Sequence, residues 1–339
     1  MSELLKVLSE YDSLGIKEQL DYDKFYLYSI ITHSTAIEGS TVTEIENQLL
    51  FDEGISPSKT LAEQFMNLDL KAAYEKAFEL ADKHTQITTE LLCSLSAILM
   101  KNTGSEYNTI AGSFSSAKGE LRLLNVSAGR GGKSYMAWQK VESKLAEFCF
   151  WLNEKRNTIS KNDIEAVYAL SFEAHYRLVY IHPWTDGNGR MSRLLMNMIQ
   201  KEFGVLPSVV KKEKRAEYIK SLAESQENDN SQLFLDFMLN HHIDNILEQI
   251  SEYKNSMSDD TLKVQNDTLN DTLKLSDKEC TVFELIKSDL SINTDQIVEK
   301  TGFGRATVMR AIKVLKEKGL VDRSGSKKTG SWELVKVEN

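Results

Sequence analysis

The residues best suited to chemistry lie in one short run, from His182 to Arg193, which combines an imidazole, a carboxylate, two glycines and two guanidinium groups. Gly187 and Gly189 let the backbone turn with its N–H groups pointing inward. The helix expected to follow from Arg190 favours anions at its N-terminus. Because Arg190 and Arg193 are three residues apart, they can converge on the same phosphates. The run therefore predicts a polyphosphate site.

Two further side chains of this run suit a reaction at phosphorus. His182 is its only general base, and Pro183 stiffens the entry to the loop. Asp186 supplies a carboxylate oxygen of the kind that Mg²⁺ takes when it also binds phosphate oxygens. Chemistry at a bound triphosphate is thus predicted, with His182 as base and Asp186 as metal ligand.

The sequence HPWTDGNGRMSR at 182–193 resembles the signature of the Fic family. That pattern has His-Pro, an aromatic residue, any residue, Asp or Glu, Gly-Asn-Gly-Arg, two free positions and Arg, and each fixed position is filled here. The resemblance implies a protein adenylyltransferase, a nucleotidyltransferase that moves AMP from ATP to a Ser, Thr or Tyr hydroxyl of a target protein. It places the nucleotide against Asp186, Gly187, Asn188, Gly189, Arg190, Met191, Ser192 and Arg193, with His182 as the catalytic base and Mg²⁺ on Asp186.

A second motif stands upstream, at residues 34–39, where STAIEG resembles the inhibitory motif of the same family. The resemblance implies that Glu38 pairs with Arg193 and keeps the γ-phosphate of ATP away from it, while Ser34 supports the glutamate from one turn earlier. The alternative is an ordinary surface glutamate in the last turn of a helix, where the helix dipole disfavours it. The next helix is expected to begin with a capping box of Thr41 and Glu44.

Glycine-interrupted, alternating segments between Asn102 and Ala137, including Leu121–Ser127, predict a β-hairpin. Its position resembles the Fic flap, whose edge holds the target backbone by strand addition. By that resemblance the nucleotide is bordered by Val126, Ser127, Ala128 and Gly129, and further along by Tyr218 and Gln226 near the adenine. The family's proline pair after the flap is missing, and Gln226 replaces an asparagine. A plain glycine-rich loop is the alternative to the flap.

Composition sets the frame for these motifs. The 339 residues exceed one compact core, and helix formers with i, i+3, i+4 apolar spacing predict a mainly α fold. The resemblance to the Fic family implies that this fold is a Fic helical bundle with a small hairpin flap. Three scattered cysteines, no leader and no apolar run of membrane length indicate a reduced, cytoplasmic setting. The expected organisation is N-terminal helices at 1–100, a Fic core at 101–250, a linker at 251–274 and a winged helix-turn-helix domain at 275–339. A homodimer remains open.

The C-terminal part carries local positive charge on a chain of net charge −9. Its order of elements, three helical patterns and then two short strands, resembles a winged helix. DNA is the partner expected for that domain, with protein contact or dimerisation as the alternative. The candidate DNA contacts are Arg305, Thr307, Arg310 and Lys313 on the recognition helix and Lys327 and Lys328 at the wing.

Two other functions use the same residues. In one, the helical domain only senses a nucleotide and the chain is a DNA-binding transcriptional regulator without turnover. In the other, Glu38 positions a water molecule that removes AMP from a modified protein. The enzyme is preferred because a sensor needs the arginines and glycines but has no need of a base at His182.

Overall fold

The computed structural model describes residues 2–127, 134–263, 276–290, 292–317, 320–324 and 331–334. The chain divides into two compact units, Met1–Tyr253 and Lys254–Asn339. The first unit is built almost wholly from helices, as the apolar spacing predicts. No helix in the described ranges is both long and apolar enough to cross a membrane.

The first unit contains the following helices, the last of which extends past the end of the unit at Tyr253. In chain order they are α1 Glu3–Ser13, α2 Tyr22–Ile37, α3 Glu44–Asp52, α4 Leu61–Asp82, α5 Thr89–Leu99, α6 Val141–Thr158, α7 Ile164–Ile181, α8 Asn188–Glu202, α9 Arg215–Glu227 and α10 Gln232–Lys263. The last of these continues through the first half of the segment expected to be a linker. Residues 264–274 of that segment lie outside the described part of the chain.

Helix α3 begins slightly later in the sequence than expected. Its capping box is formed by Thr43 and Glu46, whose side chain and backbone bond reciprocally. The predicted box of Thr41 and Glu44 is wrong because Thr41 is engaged elsewhere: its N–H and hydroxyl both donate to the Glu63 carboxylate, at 2.8 Å each. Glu63 in turn caps α4 through Thr60.

Helix α8 is the centre of the first unit. It packs between α4 and α7, and its aliphatic side chains Met191, Leu194, Leu195 and Met198 are fully buried. Each such side chain contributes about 1.5–3 kcal/mol on leaving water. The loop that precedes α8 is therefore anchored to the most deeply buried helix of this unit.

The predicted small antiparallel β-hairpin is present, but its strands lie upstream of Leu121–Ser127. Strands β1, Glu106–Thr109, and β2, Gly112–Ser115, pair with Glu106 opposite Ser115. The segment after them forms only one bridge in the described part of the chain, Ser127 to Ser134. Residues 121–126 form no ladder there, because Leu121 packs against the core and Arg122 is buried with its guanidinium on backbone oxygens. Ala128 and Gly129 lie outside the described residues.

The second unit has its own core. Helices α11 Asp277–Ser288, α12 Thr294–Thr301 and α13 Arg305–Glu317 are followed by the antiparallel strands β3 Val321–Ser324 and β4 Ser331–Leu334. Val282, Ile297, Val308, Leu315 and Trp332 are buried together. Gly302 ends α12 in the left-handed conformation that the turn into α13 requires.

Candidate active site

The site begins where α7 ends. His182 follows the last turn of α7 with φ 52°, a left-handed conformation that is uncommon for a residue with a side chain. Its N–H still donates to the Leu178 carbonyl at 3.0 Å. Beyond it the chain leaves the helix axis, so the imidazole stands at the mouth of the loop 183–187 rather than on the helix surface.

Trp184 and Asn188 close this loop. The side-chain amide of Asn188 donates to Trp184 O at 2.9 Å, and its oxygen accepts from Trp184 N at 3.1 Å. The indole N–H of the fully buried Trp184 donates to Gly119 O at 3.0 Å. The side chain of Asn188, expected to contact phosphate, shapes the loop through these two bonds, while its backbone N–H lies at the start of α8.

Helix α8 starts at Asn188, two residues before the predicted start at Arg190. Gly187 is its N-cap with φ 79°, and a Cβ at this position would lie 2.8 Å from Met100 Sδ. Glycine is thus needed both for the turn and for its packing. The first N–H groups of α8 face the loop, where the helix dipole favours an anion.

Arg190 lies in this first turn and is 2 % exposed. Its Nη2 contacts Met100 Sδ at 3.3 Å and is 3.7 Å from Asp186 Oδ2. Nε and Nη1 are buried and have no hydrogen-bond partner in the described part of the chain. Burial lowers the pKa of this guanidinium, yet arginine remains charged in proteins. A buried cation with two open donors indicates a site for an anion.

Arg193, one turn later, has an acceptor for each of its nitrogens. Its Nη2 donates to Glu38 Oε1 at 2.7 Å, which is the pairing expected from the motif at 34–39. Ser34 accepts twice from the same guanidinium, at Oγ from Nε and at its carbonyl from Nη2, at 2.8 and 2.9 Å. Ser34 was expected to support Glu38, but the structure shows it bonded to Arg193.

The positive charge of Arg193 accounts for the ionised state of the Glu38 carboxyl. Burial raises the pKa of its carboxyl, but the nearby Arg193 and the hydrogen bond from it outweigh burial, so the net pKa is lowered. Gly189 leaves room for the pair, since a Cβ there would come within 2.6 Å of Glu38 Oε1. The carboxylate therefore stands ionised in the space beside the loop.

Behind Arg193 lies a buried polar chain. Tyr218, 1 % exposed, is 3.4 Å from Arg193 Nη1 and hydrogen-bonds through its hydroxyl to His175 Nε2 at 2.9 Å. His175 is a buried, hydrogen-bonded core residue, as predicted, and burial lowers its pKa well below the usual value. Tyr218 supports the arginine from the side opposite Glu38.

The ring of His182 stacks on Tyr135 with 3.7 Å between ring centroids and 15° between planes. Burial lowers the pKa of His182 to about 4, and Arg122 acts in the same direction, whereas the Val179 backbone and Glu38 oppose it. The imidazole is therefore neutral at pH 7, which is the form that accepts a proton.

The other predicted site residues differ in exposure. The Asp186 side chain is 64 % exposed, and its Oδ1 accepts from Gly187 N at 2.6 Å. Met191 and Ser192 are fully buried in α8, so the Met191 side chain belongs to the core. Val126 is half-buried and Ser127 exposed at the stem before residue 128.

A cavity of about 870 Å³ adjoins the end of α7. Gln226 lines it, together with Tyr135 and Met136 from the segment after the hairpin. Other walls come from α6 and α7, where the Arg177 guanidinium carbon Cζ lies 3.9 Å from the centroid of the Trp151 ring. Gln226 and Tyr218 thus occupy different surroundings, the first on this cavity and the second buried behind Arg193.

Arg122 and Tyr135 were not predicted. Arg122 is 1 % exposed and donates to backbone oxygens of His182, Leu124 and Met136. In the sequence it stands in Leu121–Leu124 as one charge among leucines, a pattern that fits the exposed side of a strand. Tyr135 stands near the place where the family's proline pair is usual. Neither position has a neighbour in sequence that reveals its contact with His182.

The structure thus combines a helical bundle, a loop that leads into a helix N-terminus, a buried arginine and a histidine with a lowered pKa. Residues 86–200 match the model described as the Fic/DOC family. A Fic-domain signaling protein from Bacteroides thetaiotaomicron has the same fold, with a TM-score of 0.58 at 22 % identity, covering 75 % of this chain and 97 % of that one.

Some relatives of this chain have names that state an activity, which makes the comparison more specific. Protein adenylyltransferase fic-1 of Caenorhabditis elegans is 27 % identical over 270 residues, or 79 % of this chain and 48 % of the relative. Protein adenylyltransferase Fic of Nematostella vectensis is 30 % identical over 204 residues, covering 59 % and 43 %. A solved fragment of Fic-1 from C. elegans superposes with a TM-score of 0.57 at 25 % identity, covering 75 % and 72 %. The chain thus spans less than half the length of the two curated relatives.

Proposed function

We propose that this chain is a protein adenylyltransferase that transfers AMP from ATP to a Ser, Thr or Tyr hydroxyl of a target protein and releases pyrophosphate. The observation that carries the proposal is Arg190. Its buried guanidinium has open donors in the first turn of α8, and the loop before that helix begins directly after His182, whose pKa is lowered to about 4. The names of the relatives support the same reaction.

His182 acts as the base. The neutral imidazole takes the hydroxyl proton, and the oxygen forms a bond to the α-phosphorus as the bond to the bridging oxygen breaks. Pyrophosphate leaves with that electron pair. Arg190 and the first N–H groups of α8 stabilise the charge on the phosphate oxygens, and this stabilisation is expected to lower the barrier more than any other contribution.

Asp186 would hold Mg²⁺. Among the described residues no three His, Cys, Asp or Glu side chains cluster as a metal site, but Mg²⁺ with a nucleotide needs only one or two carboxylates. Asp186 is the exposed carboxylate beside Arg190, so it fits. The ion would neutralise charge between the α- and β-phosphates.

Glu38 acts as a brake. Arg193 would grip the γ-phosphate and so orient the α-phosphate, but its guanidinium is taken by Glu38 and Ser34. ATP then binds with its phosphorus turned away from the incoming hydroxyl. The carboxylate inhibits without touching the reacting atoms.

Transfer of α-labelled AMP tests the reaction. We expect Glu38→Gly to label a target or the chain itself more strongly than wild type, and His182→Ala in the Glu38→Gly background to abolish labelling. Thr158→Ala, on the exposed end of α6, is the matched control for folding. Equal labelling by the Glu38→Gly protein with and without His182 would refute this mechanism.

The products released distinguish the two alternative functions from adenylyl transfer. A nucleotide sensor would bind ATP tightly without releasing pyrophosphate. An enzyme that removes AMP would release it from a modified target only while Glu38 is present, so wild type would exceed Glu38→Gly. Adenylyl transfer predicts instead that Glu38→Gly transfers more AMP to the target than wild type does.

We also propose that the second unit is a winged helix that binds DNA. The order of α11, α12, α13 and the β3–β4 hairpin supports it, as does the exposed position of Arg310 and Lys313 on α13. Thr307 is half-buried, and Arg305 forms an ion pair with Asp295. Lys327 and Lys328 lie outside the described residues. A homodimer remains a proposal without a described interface.

A further inference from the structure

Arg122 is a buried cation with an unusual set of partners. Its Nε donates to His182 O at 2.7 Å, Nη1 to Leu124 O at 2.8 Å and Nη2 to Met136 O at 2.5 Å. Its own backbone N–H donates to Pro183 O at 3.1 Å. One residue thus joins the backbone on both sides of the Ser127–Ser134 bridge to the loop that carries the histidine.

The charge of Arg122 is not needed for these bonds. In the described part of the chain no carboxylate forms an ion pair with it, so backbone dipoles alone compensate a guanidinium that is 1 % exposed. Burying such a cation costs free energy, and burial lowers its pKa. A neutral amide could donate to two of the three oxygens at a smaller cost. We therefore infer that the positive charge of Arg122 has a role besides joining these backbone segments.

We propose that Arg122 is a positioning residue for the base: its guanidinium fixes the carbonyl of His182, holds that residue in its left-handed conformation, and brings a buried positive charge to the residue that carries the imidazole. The proposal rests on the proposed role of His182. It explains how φ 52° is maintained at a residue with a side chain, because the His182 carbonyl is fixed by the guanidinium.

The proposal also links the base to the place where a target would bind. Leu124 O and Met136 O belong to the two segments that lead into and out of residues 128–133, and both are held by the guanidinium that holds His182 O. A hydroxyl presented along this stem is then at a fixed distance from the imidazole. A displacement of about 1 Å there costs roughly 100-fold in rate.

Burial is the largest influence on the proton affinity of the imidazole, and it favours the neutral ring. Arg122, from the segment after β2, acts in the same direction, and Tyr135 covers one ring face without charge. The Val179 backbone in α7 and Glu38 at the end of α2 favour the protonated ring. Removing Arg122 takes away a charge that favours the neutral ring, while burial and the Val179 backbone remain, so we expect the pKa of His182 to rise.

The test compares two variants. Arg122→Gln keeps side-chain N–H donors but loses the positive charge, whereas Arg122→Lys keeps the positive charge but loses the branched guanidinium. All proteins carry Glu38→Gly, and Arg156→Gln, which removes another buried arginine paired with Glu202, is the control. The readouts are the His182 pKa from NMR titration of ¹³C-labelled histidine, assigned with His182→Ala, and the pH dependence of kcat for AMP transfer.

For Arg122→Gln we expect the His182 pKa and the acidic limb of kcat to move to higher pH, with kcat lowered roughly 10- to 100-fold and KM for ATP little changed. For Arg122→Lys we expect the His182 pKa of the Glu38→Gly parent with a reduced kcat. Arg156→Gln should change neither. An unchanged His182 titration in Arg122→Gln would overturn the proposal, as would unfolding of both Arg122 variants under conditions where Arg156→Gln stays folded.

The titration needs no turnover, so the two proposals fail separately. A shifted His182 pKa in a protein that never labels a target would refute the adenylyltransferase and leave the Arg122 coupling standing. Robust AMP transfer with an unshifted titration would do the opposite.

Discussion

At the scale of single residues, Arg193 is the side chain on which the proposed nucleotide binding and the proposed inhibition both depend. Its guanidinium holds the Glu38 carboxylate and both oxygens of Ser34. Since it is 3 % exposed, it cannot turn to a phosphate without giving up these acceptors. In the proposed cycle Glu38 and the γ-phosphate therefore compete for one cation.

The lowered pKa of Glu38 makes this competition insensitive to mild acid. A carboxyl whose pKa in the folded chain is below its unfolded value keeps its pairing above that unfolded value and loses it only as the pH falls through the lowered pKa. We therefore expect the ratio of AMP transfer by Glu38→Gly to that by wild type to stay constant from about pH 8 to 5.5. Parallel initial rates across this range measure it.

Glu53→Gly provides the control for this ratio, because it removes an exposed carboxylate at the end of α3. Its rate relative to wild type should be close to one at each pH. A Glu38→Gly ratio that falls steadily towards one as the pH drops would show that the pair titrates in the physiological range, contrary to the expectation.

Residues within one local motif were predictable, and residues joined by distant contacts were not. His182, Asp186, Arg190 and Arg193 stand within one short run, so their shared loop was read from spacing. The Glu38–Arg193 contact spans 155 positions and was reached only through a resemblance. Arg122 stabilises a loop 60 positions away, and nothing in its own neighbourhood indicates that partner.

At the scale of elements, the brake depends on how firmly the end of α2 is held. Thr35, in its last turn, donates to Asn67 Oδ1 of α4 at 2.8 Å, and Asn47 of α3 donates to the same oxygen at 2.9 Å. The Asn67 amide nitrogen donates to Ser40 Oγ, just beyond Glu38. This buried network fixes the turn that carries the carboxylate.

We expect Asn67→Ala to lower the free energy of unfolding of the first unit by about 2–3 kcal/mol, because it removes a buried acceptor shared by the side chains of Asn47 and Thr35. Basal AMP transfer should rise, since the turn at Glu38 loses its support. Calorimetry and transfer assays measure the two effects. Asn240→Ala, on an exposed face of α10, should alter neither. Lost stability with unchanged basal transfer would mean that the network serves the fold alone.

The helices could be predicted from apolar periodicity. Their ends and the position of the hairpin could not, because they depend on contacts between residues far apart in the sequence. The start of α3 moved because Thr41 bonds to Glu63 in another helix. The strands were expected to include Leu121–Ser127, yet that segment is drawn into the core by Leu121 and Arg122. Side chains that leave the strand pattern for the interior cannot be recognised from alternation alone.

At the scale of the whole molecule, two compact units with separate cores share one chain. The proposed chemistry belongs entirely to Met1–Tyr253, because each residue assigned to it lies there. Within the second unit, residues 300–339 contain ten Lys and Arg against four Asp and Glu on an acidic chain. The exposed Arg310 and Lys313 lie one turn apart on α13. This spacing suits adjacent phosphates along one face of a helix.

DNA binding by the second unit therefore has a measurable signature. Arg310→Ala and Lys313→Ala should each weaken binding of a duplex and reduce the slope of log K against log salt by about one, because each removes one phosphate contact. Lys278→Ala removes the same charge from the exposed start of α11 and should leave both quantities unchanged. Titrations of fluorescent duplex at several salt concentrations give the slopes. If all three variants bind like wild type, or if binding does not depend on salt, α13 does not contact DNA and the unit serves another partner.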